Sequence, residues 1–208
     1  MAKKEVIIVL SIYLLILGLG NANGEEQNVY LRFRDTSTDR DIDSGFLTIN
    51  ILNNRIINGF ISEKGILINI DKGRYYAEFI LDDLSTKGND YYNKDIIVVD
   101  GNLTKIVYLY PVGTIRGIVK DKLDNLVAYA RLKFECSGPV IIEYPNTTDE
   151  FGTFIVEYIP KSHCRILVGY KELVSVANID INKGSLNDIE IKLDKSIVSI
   201  DKNNNYLW

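Results

Sequence analysis

The sequence predicts an all-β chain: two tandem seven-stranded β-sandwich domains behind an N-terminal hydrophobic leader helix. Three observations predict it. First, one pattern occurs twice: Ile96-x-Val98-x-x-Gly101-x-Leu103-x-x-Ile106 returns as Ile179-x-Ile181-x-x-Gly184-x-Leu186-x-x-Ile189. Second, upstream of each copy a polar turn ends in glycine and opens an apolar alternating run, at 62–68 and 148–155. Third, beyond the leader nearly every apolar run has period two, and none keeps helical spacing over three turns. A repeat of this length means copies of one small domain rather than one larger enzyme.

The first domain spans 25–112. Val29, Leu31 and Phe33 alternate with Tyr30, Arg32 and Arg34, and Leu47, Ile49 and Ile51 alternate with Thr48 and Asn50. Further runs follow at 66–70, after Gly65, and at 75–81, after Lys72-Gly73. Runs at 96–99 and 106–110 close the unit, and Pro111-Val112-Gly113 reads as the whole linker. The second domain spans 113–195, with runs at 114–120, 128–136, 140–143, 153–158, 165–170, 173–181 and 189–193. About seven short strands in roughly 85 residues is the scale of a β-sandwich. A linker this short makes the domains pack or hold a limited angle. Residues 196–208 read as a polar tail with an aromatic end.

The leader begins Met1-Ala2-Lys3-Lys4-Glu5 and continues through 6–20 without charge. A basic cap, an apolar run and small residues after it are the parts of a secretory signal, with the cut placed after Ala22. The alternative is an uncleaved membrane anchor, although the run of 15 residues is shorter than the roughly 20 a spanning helix uses. Either reading puts the rest of the chain outside the membrane. The chain is therefore read as secreted, or anchored to the outer face of the cell membrane through residues 6–20.

Net charge is −4, and Lys3, Lys4 and Glu5 together contribute +1, so the remainder is near −5. An acidic chain is not drawn to a nucleic-acid backbone or an anionic lipid surface. Neither class of partner is expected.

The second unit resembles the carboxypeptidase regulatory-like domain, a transthyretin-like (Ig-like) seven-stranded sandwich. The residues that carry the resemblance are Gly117-Ile118-Val119-Lys120-Asp121, then Leu126 and Ala130, then Thr148-Asp149-x-x-Gly152-x-Phe154 and the strand 166–170. Gly152 permits the backbone of the turn, Asp149 and Thr148 cap backbone groups there, and Phe154 points into the core. The first unit keeps Gly65 and Leu67 but has Ser62-Glu63 where the family pattern has Thr-Asp. The resemblance implies a non-catalytic extracellular module. It also implies that the strands carrying Cys136 and Cys164 are antiparallel neighbours, which makes a disulfide sensible. The alternative is two buried thiols.

Asp39-x-Asp41-x-Asp43, with Asp35 ahead and Gly45 behind, spaces carboxylates as calcium loops do. Gly45 falls one place late and Asn50 stands where an EF-hand needs Glu, so a solvated acidic loop is the better reading. On the calcium reading Asp35, Asp39, Asp41 and Asp43 would be the ligands of a Ca2+ ion, and no other cofactor is expected. Asn102-Leu103-Thr104 and Asn146-Thr147-Thr148 fit the glycosylation sequon at predicted turns. Tyr91 and Tyr92 fall in the polar loop 82–95. There they either stack on a sugar or a protein partner, or fold back onto the sandwich.

Catalysis has little to build on. His163 is the single histidine, which excludes a zinc site with several imidazole ligands. Intradiol dioxygenases and the transthyretin-like hydrolases of the urate pathway, which share a related sandwich, need more. There is no Gly-rich phosphate loop. The expected function is a surface binding, adhesion or spacer module that contacts cell-envelope protein or polysaccharide. The alternative is an accessory subunit of an extracellular enzyme or transporter.

Overall fold

The computed structural model describes residues 26–52, 55–62 and 65–196. The leader at 1–22 and all but the first residue of the tail at 196–208 lie outside the described residues. Every described element is a strand: β1 (Gln27–Asp35), β2 (Asp41–Ile42), β3 (Gly45–Ile51), β4 (Arg55–Ile61), β5 (Ile66–Ile70), β6 (Gly73–Asp82), β7 (Tyr91–Val99), β8 (Leu103–Lys120), β9 (Arg131–Cys136), β10 (Thr153–Pro160), β11 (Ser162–Tyr170), β12 (Leu173–Ile181), β13 (Leu186–Lys192) and β14 (Lys195–Ser196).

Period-two alternation decides which side chains go inside. In β1, Val29, Leu31 and Phe33 are buried, and in β3 Leu47, Ile49 and Ile51 are. These join Phe79, Leu81, Ile97, Val107 and Leu109 in one apolar cluster. A second cluster gathers Ile115, Val119, Phe154, Val156, Ile166, Val168, Ile181 and Ile191.

The duplicated pattern meets a duplicated pairing scheme. β1 lies between β5, which pairs with it antiparallel, and the first half of β8, parallel to it with Val29 opposite Leu103. The second half of β8 lies between β10, antiparallel, and β13, parallel with Leu186 opposite Thr114. The facing layers run β4-β3-β6-β7 and β9-β11-β12-β14.

Four expectations need correction. Pro111-Val112-Gly113 is not a linker but the middle of the 18-residue strand β8. Residues 111–115 are all buried there, because both clusters press on the strand and its alternation lapses. Pro111 removes one ladder donor, yet its carbonyl accepts from the Lys161 amide at 2.8 Å. β7 starts at Tyr91, five residues before the predicted 96. Residues 140–143 form no strand, because Pro139 and Pro145 flank them and cannot donate to a ladder. Tyr144 instead stacks on Phe134 with centroids 5.0 Å apart. The strand predicted from 128 begins at Arg131, after Tyr129 at φ 54°.

β4 has no counterpart among the predicted runs. Paired isoleucines and Gly59 blur its alternation, but it forms a hairpin with β3, Phe46 opposite Phe60 and Ile49 opposite Ile57.

Candidate functional site

Of the sequence-predicted candidates, the structure brings together Tyr91, Tyr92 and Asp35, near the start of β7 and not as a ligand site; the others lie apart. Tyr91 and Tyr92 are not exposed loop residues. They open β7 and are 8% and 2% exposed, since consecutive residues of a strand face opposite sides and both sides are covered here. The Tyr91 hydroxyl donates to Asp35 Oδ2 at 3.0 Å. The Tyr92 hydroxyl donates to Glu78 Oε1 at 2.6 Å, and its ring stacks on Tyr158 of β10 at 4.4 Å. Burial pushes both phenols above their ordinary range, and the carboxylates they bond push them further. Burial also pushes Tyr158 up to about 12.

Asp35, Asp39, Asp41 and Asp43 do not form a cation loop. Strand parity turns Asp35 inward, where its Oδ1 accepts from the Ser37 amide and hydroxyl, both at 2.6 Å. Burial alone would raise this carboxyl, but those bonds and Tyr91 carry it below its ordinary value. Asp41 pairs outward with Arg32 and with Arg34, the latter at 3.2 Å. Arg34 also holds Asp39 at 3.6 Å, while Asp43 stays exposed. No group of three His, Cys, Asp or Glu residues is placed to hold a metal ion among the described residues.

Asp90 is the most constrained carboxylate at the junction, with none of its surface exposed. Its Oδ2 accepts from the Asp83 amide at 2.8 Å and the Thr86 hydroxyl at 2.6 Å. Its Oδ1 has no hydrogen-bond partner among the described residues. Lys183, in the turn between β12 and β13, brings Nζ to 3.9 Å from that oxygen and to 4.7 Å from the Tyr91 ring centroid. A buried carboxylate near a cation recovers part of its desolvation cost.

Main-chain bonds clasp the same two turns. The Gly88 amide donates to Gly184 O at 3.0 Å, Gly184 N to Val112 O at 2.9 Å, Val112 N to Asp90 O at 2.8 Å and Thr114 N to Ser185 O at 2.8 Å. The approach demands two glycines. A Cβ at Gly88 would lie 2.1 Å from Ser185 O, and one at Gly184, whose φ is +67°, would lie 2.6 Å from Asp90 Oδ1.

Away from the junction, Cys136 and Cys164 are joined by a disulfide with S–S 2.12 Å. They face each other across β9 and β11, and Cys164 is fully buried. Asn102 and Asn146 are both exposed. Asn102 Oδ1 accepts from the Asn28 amide at 2.8 Å, while the Thr148 hydroxyl of the second sequon donates to Val127 O at 3.0 Å inside the fold. His163 Nδ1 lies 2.8 Å from Asp180 Oδ1 at the surface. A groove of about 950 Å³ opens over β10, β8 and β13. Its charged walls are already engaged, Arg116 with Asp188 at 2.8 Å and Asp149 with the Thr153 hydroxyl at 2.6 Å.

No family model matches this chain, and no curated protein does. Solved structures with a similar course of chain include the Bacillus anthracis TIE protein, at 15% identity and TM-score 0.36 over 81% of this chain and 34% of that one. The Streptococcal ancillary pilin is similar at 15% identity and TM-score 0.33, over 83% of this chain and 64% of that one. The shaft pilin SpaA of Lactobacillus rhamnosus GG is similar at 11% identity and TM-score 0.30, over 82% and 99%. This chain thus spans about a third of the TIE protein structure and under two thirds of the ancillary pilin. Scores at this level carry no function across.

Sequence reasoning missed Asp90, Lys183 and Gly88. The one signal that pointed near them was the repeat itself. Gly184 is the glycine of its second copy. Gly101, the glycine of the first, has no atom within 4 Å of where a Cβ would stand. The same motif position is unconstrained in one copy and clasped in the other.

Proposed function

We propose that the chain is an extracellular, non-catalytic module of two tandem transthyretin-like β-sandwich domains, 25–112 and 113–195, acting as a stiff spacer, adhesion or binding unit. The observation that carries this reading is the junction. One strand, β8, contributes to both apolar clusters, and the clasp of 88–90 on 182–185 closes over it. A strand ladder plus a clasp resists bending, which suits a part that holds other parts at a distance. The twofold pairing scheme around β1 and β8 supports the tandem reading.

The leader at 1–22 supports export, with cleavage after Ala22 or retention as an anchor. The disulfide belongs to an oxidising compartment. Partners on this reading are envelope protein or polysaccharide, and Asn102 and Asn146 are exposed positions where a glycan is tolerated.

A membrane-impermeant amine reagent applied to intact cells that produce the protein tests the reading. Modification of exposed lysines such as Lys94 and Lys133, found by mass spectrometry without lysis, supports a surface module. Modification only after lysis contradicts it.

A further inference from the structure

The first unit leaves one side of its sandwich open in a way that the second does not. β4 pairs only with β3 and β5 only with β1, so both are edge strands. Arg55 fastens them side by side, its Nη2 donating to Asn69 O at 2.6 Å. Arg55 is also the only charge in β3, β4 and β5 together. Ile56, Phe60 and Leu67 stand 63%, 70% and 58% exposed along this side. Phe60 meets Phe46 edge to face at 5.2 Å, so the apolar stripe continues onto β3.

Edge strands present unpaired amide and carbonyl groups, and folds guard them with charge, proline, bulges or covering loops. The second unit uses all four. β9 carries Arg131, Lys133 and Glu135. Its flank is covered where Leu132 N donates to Asn146 O at 2.8 Å. β10 carries Glu157 and Pro160, with a register shift between Val156 and Ile159. Among the described residues β4 has a single charge, Arg55, at its first position and turned to Asn69 O, and it carries no proline or register shift.

We propose that β4 is a self-association edge, on which a second copy of this chain adds its own β4 antiparallel. Two features of the strand select a second copy as the occupant. The first is electrostatic. Two copies of an acidic chain repel, and a side whose three strands carry no acidic residue and one charge, Arg55, is where they approach at least cost. The second is self-complementarity about Asn58. An antiparallel pair centred there sets Asn58 opposite Asn58 of the second copy. It sets Ile56 opposite Phe60 and Phe60 opposite Ile56, aliphatic against aromatic on the outer face. Such cross-strand pairs are favourable, and a twofold axis through one strand edge makes a closed, isologous dimer. The four-stranded layer β4-β3-β6-β7 becomes one continuous layer across both copies.

The test is the mass of the full chain in mild detergent, by sedimentation velocity over a concentration series. The wild type is expected to dimerise reversibly. Asn58→Lys sets two ammonium groups opposite each other and is expected to be monomeric with an unchanged thermal transition. An equimolar mixture of Asn58→Lys and Asn58→Glu is expected to restore a heterodimer, which a misfolded variant does not do. Lys133→Asn, on the guarded edge, is expected to change nothing. A wild type that stays monomeric at every concentration overturns the proposal, as does a dimer that Asn58→Lys leaves intact. Either result leaves the stiff two-domain reading standing.

Discussion

Gly184 and Asp90 lie so close at the junction that a single added carbon at 184 would sit 2.6 Å from Asp90 Oδ1. The contact joins the turn after β12 to the turn before β7, and every other bond of the clasp lies within a few residues of it. A left-handed φ of +67° adds a second reason for glycine. Gly184→Val should therefore cost well above the roughly 1–2 kcal/mol of a left-handed backbone alone. Gly101→Ala, at the matching motif position, should stay within about 0.5 kcal/mol. Urea unfolding of both variants checks this, and equal losses would contradict it.

Asp90→Ala removes the acceptor of two donors, the Asp83 amide and the Thr86 hydroxyl. Both bonds are part-buried and go to a charged group, where each contributes about 1.5–3 kcal/mol; the Thr86 hydroxyl keeps Asp83 O and Gly88 O as acceptors, so a loss of about 2–4 kcal/mol is expected. Hydrogen exchange at the Gly184 and Val112 amides should accelerate with it. Protection unchanged at those two amides would separate Asp90 from the clasp.

Tyr92 of β7 and Tyr158 of β10 stack on each other. Stacked aromatic pairs contribute about 0.5–1.5 kcal/mol beyond their buried area. A double-mutant cycle with Tyr92→Leu and Tyr158→Leu should return a coupling of about 1 kcal/mol. A coupling near zero would mean the rings merely share a cavity.

Acid should loosen the first unit. Asp35 and Glu78 both sit below their ordinary pKa, each through hydrogen bonds that outweigh burial. A depressed carboxyl contributes stability that is present above its unfolded pKa and lost as pH falls through its folded one. The loss should begin below about pH 4.5 and deepen as pH drops. Asp82 runs the other way, raised first by burial, and partly offsets it. Tyr91→Phe removes one bond that lowers the Asp35 pKa, brings the folded value nearer the unfolded one, and should shrink the stability lost between neutral and acid pH in a denaturation series. An unchanged loss would mean that Tyr91 does not set the Asp35 ionisation.

The Cys136–Cys164 bond spans 28 residues. Loop-closure entropy gives such a bond about 3–4 kcal/mol. The Cys136→Ser, Cys164→Ser pair should lose that much in denaturant and broaden proteolysis to the 137–163 segment. A loss under about 1 kcal/mol would show that β9 and β11 hold without it.

Strand alternation was legible wherever one face is buried and the other wet. Val29 to Phe33 and Leu173 to Ile181 show it, and those runs fall inside β1 and on β12. It failed where both faces are covered. Residues 111–115 are buried on consecutive positions, so a strand carrying Pro111 and Gly113 read as a linker. Tyr91 and Tyr92 failed for the same reason, being polar-tipped residues in polar company whose cover comes from elsewhere in the chain. β4 hid because Ile56-Ile57 and Gly59 break the alternation in an edge strand that buries little. The clasp was beyond reach, since it depends on carbonyls and amides that carry no residue identity.

The measurement that bears most directly on the stiff junction is a distance distribution between two spin labels, one replacing Arg74 in β6 and one replacing Glu172 between β11 and β12. Both positions are exposed, and the native cysteines are held in their disulfide. The account predicts one narrow distance in the wild type and a broadened one in Gly184→Val. A broad distribution already present in the wild type would contradict it.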